Sequence, residues 1–315
     1  MADILTITLN PSIDLATSVA RVVAGPKLYT SSPRVDPGGG GVNVARAIRI
    51  LGGRATALLA VGGATGERLL DLLATEDVDT LPVPVGGETR QSFAVTDESN
   101  GAQFRFSVPG HTLGRADGDL LLQTIARAAP EDGYVVLSGG VAPGLGDDFP
   151  QRIQAAIAPR TDRLIMDTSK AALARVIAEP SAPALLLRLD RREAAQAARR
   201  EMETLDHSVA FASDLVARGV ARMVVTGQGA EGSIMVTQTA RYHCRAAAGP
   251  VRSKIGAGDA LVGAMTLALA RGDTPDQALR WGVAAASATV GTEGTALFAL
   301  ADVQALFESC TLAKV

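Results

Sequence analysis

Cysteine is nearly absent: Cys244 and Cys310 are the only two in 315 residues. That excludes a disulfide framework and any cysteine-based metal cluster. Histidine is equally sparse, and His111, His207 and His243 are scattered without metal-ligand spacing, so they read as structural or surface residues. Basic excess is missing too. Thirty Lys and Arg face 33 Asp and Glu, for a net charge of −3, which argues against nucleic acid as a partner. The most charged run, "RLDRREAAQAARREME", mixes both signs and reads as a solvated helix face. The start lacks a basic segment followed by an apolar one. No apolar run approaches the ~18 residues that span a bilayer. The expectation is a soluble chain in a reducing compartment, the bacterial cytoplasm, with no membrane partner.

What is present is apolar sequence, 47% of the chain, in short runs. Segments 4–9, 55–63, 134–140, 163–169, 184–189 and 222–227 are continuously hydrophobic, as strands of a parallel sheet covered on both faces would be. Helix-like segments at 42–52, 65–75, 117–129, 148–158 and 205–218 lie between them. Alternation of this kind predicts a doubly wound α/β sandwich with a mostly parallel sheet. Residues 15–36 and 88–108 break the rhythm. They read as polar-alternating strands without an intervening helix, and Asn100-Gly101 is a hairpin signal. They predict a small separate sheet acting as a lid on one domain that spans 1–315.

Two glycine clusters carry the chemistry. In "KIGAGDALVGAMTLALA", Gly256, Ala257 and Gly258 precede a helix predicted to run to about Ala270. A helix start offers unpaired N–H groups and partial positive charge, and glycine lets an anion approach the backbone. Asp259 beside such an anion hole suits a general base acting on a hydroxyl; the competing reading is a helix cap. In "DPGGGGVNVARAIRILGG", four consecutive glycines, Gly38 to Gly41, precede Asn43. No Gly-Lys-Ser/Thr follows, so this is not a Walker loop, and the spacing is not that of a dinucleotide fingerprint. It suits backbone wrapped around a small polar ligand.

With both clusters in view, the chain resembles the ribokinase-like carbohydrate kinases of the PfkB type, in their phosphosugar (phosphofructokinase) branch. The supporting stretches run through the whole chain: "TLNPSIDLAT", "GPKL", "GGATGERL", "ETRQSF", "FRFSVPG", "LSGGVAPG" and "RWGVAAASATV". The resemblance implies ATP-dependent phosphorylation of the 1-hydroxyl of fructose 6-phosphate. Tagatose 6-phosphate and fructose 1-phosphate are alternative acceptors, and a phosphosugar-binding protein with decayed activity is the rival of another class. It also implies Asp259 as base with Gly256 to Gly258 as anion hole. Asp14, Gly39, Gly40 and Asn43 would meet the sugar, and Lys27, Arg90 and Arg105 the acceptor's own phosphate. Ser138 would also touch the substrate, although Gly140 stands where this branch usually has serine. A homodimer through paired lids is implied, and magnesium with the nucleotide; a need for potassium is left open.

The nucleotide side departs from the family's pattern. Where Lys-Pro-Asn-x-x-Glu is usual, this chain has "RLDRRE", with Arg188, Asp190 and Glu193. Glu193 would govern magnesium through water. Gly227 replaces a common Ser or Thr, Gly229 and Gly232 keep the loop, and Lys254 replaces a threonine. Together these changes imply a compensated nucleotide site with altered metal or nucleotide preference.

Overall fold

The computed structural model describes residues 2–247 and 249–315. Its main sheet is assembled from short apolar strands. These are β1 (Ile4–Thr8), β4 (Thr56–Val61), β5 (Asp79–Pro84), β8 (Tyr134–Ser138), β9 (Leu164–Asp167), β10 (Ala184–Leu189), β11 (Ala221–Gly227), β12 (Ser233–Thr237), β13 (Arg241–Arg245) and β14 (Thr311–Lys314). The order across the sheet is β14-β13-β12-β11-β10-β9-β8-β1-β4-β5. From β5 to β11 all pairs are parallel, and β11 to β14 continue antiparallel. Among the described residues the helices are α1 (Gly40–Ile50), α2 (Gly63–Thr75), α3 (Arg115–Ala128), α4 (Phe149–Ile157), α5 (Lys170–Ala178), α6 (Arg191–Ala198), α7 (Leu205–Ala217), α8 (Ala257–Arg271), α9 (Pro275–Val290) and α10 (Leu300–Ser309). None of them is long and apolar enough to cross a membrane.

Continuous hydrophobicity in the strands has its cause in two cores. On β8, Val136 enters one core while Val135 and Leu137 enter the other. The first core is closed by α1, α2, α8 and α9, through residues such as Ile48, Leu73, Leu261 and Val283. The second is closed by α3 to α7, through Leu121, Phe149, Val176 and Leu215. Alternate side chains point to opposite faces, so a strand buried on both faces has no polar positions to show. The predicted doubly wound sandwich is the observed fold. Strand β5 escaped prediction because Pro82 and Pro84 interrupt its pattern. It is an edge strand, where a missing N–H donor costs no ladder bond.

A second sheet is separate, as expected, with order β3-β2-β6-β7. Its strands are β2 (Ser12–Val19), β3 (Arg34–Gly38), β6 (Arg90–Asp97) and β7 (Gln103–Ser107). The first pair begins before and ends after the expected stretch 15–36 and is interrupted in its middle. Residues 20–33 are irregular and largely exposed. The turn between β6 and β7 has Gly101 at φ 72°, with Asn100 Oδ1 accepting from Ala102 N at 2.8 Å. The β2–β6 pairing is parallel, which places Ser12 and Asp14 of β2 opposite Arg90 and Ser92 of β6.

Candidate active site

A cleft of about 200 Å³ lies between the second sheet and the starts of α1 and α8, and Ser138 at the carboxyl end of β8 meets its wall through Asp259. In open α/β sheets this end of the strands is where ligands bind. Asp14, Gly39, Gly40, Asn43, Arg90, Arg105, Gly256 and Asp259 all line it. Eight positions from five separate stretches of sequence thus converge on one space.

Helix α8 delivers Asp259 to the floor. Gly256 is its N-cap, in the left-handed conformation at φ 76°, which a side chain would resist. At Gly258 a Cβ would lie 2.7 Å from Arg188 Nη1, so any side chain there would have to push the Arg188 head aside. Asp259 sits inside the first turn and does not cap its own helix. Its carboxyl instead accepts from Asn43 Nδ2 at 2.9 Å and from Ser138 Oγ at 3.1 Å. Burial and then the nearby Asp167 carboxylate push its pKa up to about 7, against the lowering effect of Asn43, Ser138 and Arg188. A carboxylate titrating there is matched to taking a proton at neutral pH.

The glycine run forms the adjoining wall. Gly39 has φ 113° and opens α1, while a Cβ on Gly40 would collide with Ser138 Oγ and with Gly139 N at 2.6 Å. The helix start is thereby pressed against the end of β8. Ser138, expected to touch substrate, is fully buried and spends its hydroxyl on Asp259.

Opposite this floor, Asp14 accepts from Ser12 Oγ at 2.6 Å. Desolvation raises its pKa, partly offset by Ser12, Arg90 and Arg105. Arg90 donates to Asn10 O at 3.2 Å, Ser92 Oγ at 2.9 Å and Ser107 Oγ at 3.1 Å. Its head is held in place before any ligand arrives. Arg105 on β7 pairs in register with Ala94 on β6, on the opposite face from Phe104 and Phe106. It has no ion-pair partner among the described residues. Lys27 is exposed on the irregular segment after β2 and is not brought to the cleft.

The nucleotide-side residues lie beyond the tip of α8. Arg188 Nη1 pairs with Asp167 Oδ1 at 3.3 Å. Desolvation would lower its pKa, but Asp167, Glu193 and Asp190 outweigh it and hold the guanidinium firmly charged. Asp190 and Glu193 form a capping box on α6: Asp190 Oδ1 accepts from Glu193 N at 2.7 Å, and Glu193 Oε2 accepts from Asp190 N at 2.8 Å. Burial, with Asp190 and Asp167 adding negative charge, raises the pKa of Glu193. Gly229 and Gly232 turn the following loop at φ 63° and 87°, Gly227 ends β11, and Lys254 is exposed before α8. No cluster of three or more His, Cys, Asp or Glu side chains able to hold a metal exists among the described residues. A magnesium ion that arrives on nucleotide phosphates needs only one or two carboxylates and its own waters, and Glu193 fits that demand with its second oxygen.

Sequence reasoning missed Asp167. It ends a predicted strand, and an acidic side chain at the carboxyl end of a parallel strand is the signal that points to it. It also missed Thr295, which reaches the cleft from the segment after α9 and donates to Asp36. No local pattern marks that residue.

Residues 7–301 match the model of the pfkB family carbohydrate kinases. The chain belongs to that family. It is 37% identical over 305 residues to the ATP-dependent 6-phosphofructokinase isozyme 2 of Mycobacterium tuberculosis, covering 97% of this chain and 89% of that one. Its fold is similar to crystal structures of phosphofructokinase-2 from Escherichia coli. In the complex with potassium the TM-score is 0.92 at 35% identity, covering 98% of this chain and 99% of that one. In the complex with fructose-6-phosphate it is 0.90 at 35% identity, with the same coverage.

Proposed function

We propose that this chain is a phosphosugar kinase that transfers the γ-phosphoryl group of ATP to the 1-hydroxyl of fructose 6-phosphate, giving fructose 1,6-bisphosphate and ADP. The observation that carries the reading is one cleft holding both a carboxyl whose pKa is pushed up to about 7, Asp259, and two cations, Arg90 held in place by hydrogen bonds and Arg105, facing it from the second sheet. A neutral sugar would not need those cations; an acceptor that already bears a phosphate does. The phosphofructokinases that resemble the chain support the same choice.

The chemistry follows from placement. Asp14, with Asn43 and the Gly39-Gly40 backbone, holds the sugar hydroxyls so that the 1-hydroxyl lies at Asp259. Asp259 takes that proton, the freed oxygen attacks the γ-phosphorus, and ADP leaves from the opposite side. The amides of Gly256 to Gly258 and the Arg188 head meet the charge on the migrating group. Such transfer is mostly positioning and charge neutralisation. When bound with the nucleotide, magnesium would neutralise phosphate charge, met through water by Glu193. Potassium is a candidate activating ion because the similar Escherichia coli enzyme was crystallised with it. The chain acts as one domain with the second sheet as its lid, in the cytoplasm, as a homodimer. Phe93, Phe104 and Phe106, exposed at 43%, 40% and 57%, give that sheet an apolar strip, Phe93 and Phe106 bordering the cleft, and support pairing of two lids.

A coupled assay tests the proposal. Fructose 6-phosphate should give the highest kcat/KM among fructose 6-phosphate, tagatose 6-phosphate and fructose 1-phosphate, and Asp259→Asn should lose roughly 10²–10⁴-fold in kcat. Undiminished turnover in that variant removes the assignment of the base. A higher kcat/KM for either other sugar removes the acceptor.

A further inference from the structure

Arg46 is a buried cation whose contacts run from the second sheet to the tip of α8. It is 4% exposed on α1, one helical turn after Asn43. Its Nε lies 2.6 Å from Glu76 Oε2, and its Nη2 2.8 Å from Glu76 Oε1, so one edge of the guanidinium is clamped by the end of α2. Its Nη1 donates to Pro37 O at 3.1 Å and to Asn43 Oδ1 at 3.3 Å. Its Nη2 is also 3.7 Å from Asp36 Oδ1 on β3. Asp36 in turn accepts from Thr295, which lines the cleft.

Guanidinium has donors only, and an amide has one end that accepts and one that donates. An arginine fixed beside Asn43 therefore decides which way that amide faces. Its oxygen must turn to Arg46, which leaves Nδ2 for Asp259 Oδ2 at 2.9 Å. We infer that Arg46 is a positioning residue for the reaction: it sets the polarity of Asn43, so that Asn43 donates to Asp259 and keeps that carboxyl aimed into the cleft. Through Pro37 O and Asp36 the same side chain anchors β3, so the second sheet and the proton acceptor share one buried brace. Lysine could not do this, because a single ammonium cannot serve Glu76, Pro37 and Asn43 from one plane.

The inference rests on the reading of Asp259 as base. The groups that face Asp259 are Asn43 from α1, Ser138 from β8, Asp167 from β9 and Arg188 from β10, with Asp14, Arg90 and Arg105 across the cleft. Of these only Asn43 depends on Arg46. In Arg46→Lys, kcat should fall by about 10²-fold, the cost typical of a slightly misplaced catalytic group, while KM for fructose 6-phosphate changes little. Loss of the Asn43 donor removes a force that lowers the Asp259 pKa, so the rising limb of kcat/KM against pH should move to higher pH. In an Asn43→Ala background, Arg46→Lys should add no further loss. Arg49→Lys, on the same helix but paired outward with Asp77, controls for lost stability. A kcat and pH limb equal to wild type, a loss no larger than that of the Arg49 control, or full additivity with Asn43→Ala overturns the inference. Arg46→Gln replaces the lysine variant should that one not fold. A neutron structure of the wild type reads the amide without any variant, and a nitrogen facing Arg46 overturns the inference equally. Failure of the two readings is distinguishable: turnover in Asp259→Asn sinks the base, whereas an inactive Asp259→Asn beside a fully active Arg46→Lys sinks only the role of Arg46.

Discussion

Asp259 is stabilised in its neutral form by the place it occupies, and that makes its pKa a statement about stability as well as catalysis. Its pKa is raised from 3.8 to about 7, by burial first and Asp167 second. Between those values the folded chain holds a proton that the unfolded chain releases. Stability therefore falls as pH rises through that window and stays lower above it. Asp259→Asn should relieve this cost. Its Tm at pH 8 should exceed that of wild type by about 1–5 °C, and the difference should close below about pH 4, as read by calorimetry across pH. In activity the sign is opposite: kcat/KM of the wild type should rise with pH through about 7, because only the ionised form accepts a proton. Beside Glu193, Asp190 is the N-cap of α6. Asparagine caps as well as aspartate, whereas alanine costs about 1 kcal/mol. Asp190→Asn should therefore leave the melting curve within a degree of wild type while changing the magnesium or nucleotide dependence of the rate. A triphosphate panel with a magnesium titration reads it, and an unchanged panel removes the idea of a compensated site.

At the scale of elements, the cleft depends on two helix starts meeting the end of β8. The start of α1 lies so close to Ser138 that any side chain at position 40 must push one of them away. Gly40→Ala should accordingly preserve the far-ultraviolet circular dichroism, because α1 keeps its Val42, Val44 and Ile48 in the core. It should lose at least about 10-fold in kcat, since Ser138 would be displaced from Asp259. A variant with wild-type kcat would mean that the close approach has no part in the reaction. The capping box of α6 and the ion pair of Arg188 with Asp167 are likewise element-level devices. They fix where β9 and β10 end and where α6 begins, close to Asp259.

For the whole molecule, the second sheet carries the exposed aromatic side chains that support the proposed dimer. The register sets Phe93 beside Phe106 and Val95 beside Phe104, on the face away from Ser92 and Ser107. Exposed aromatic area of this kind on a small sheet is the ordinary mark of an association surface. Phe106→Asp should shift the chain from dimer to monomer in light scattering after gel filtration. It should also raise KM for fructose 6-phosphate, because Arg90 and Arg105 ride on the same strands. A wild-type chain that is monomeric at micromolar concentration would remove the dimer from the proposal.

Periodicity alone determined the doubly wound sheet, because a strand buried on both faces must be apolar throughout and a crossover helix must be amphipathic. Glycine content alone marked both loops, since Gly39 and Gly256 hold backbone angles that other residues resist, and Asp259 followed from its place after one of them. Tertiary structure decided what no neighbourhood in sequence encodes. It spent Ser138 on Asp259 and left Lys27 outside the cleft. It turned Asp190 and Glu193 into a cap, and it joined Asp167, Arg46 and Thr295 to the site from distant positions. The physical reason is that propensity and pattern act over a few residues, whereas a pKa, an amide's orientation and a ligand's walls are set by groups that meet only when the sheets and helices close around them.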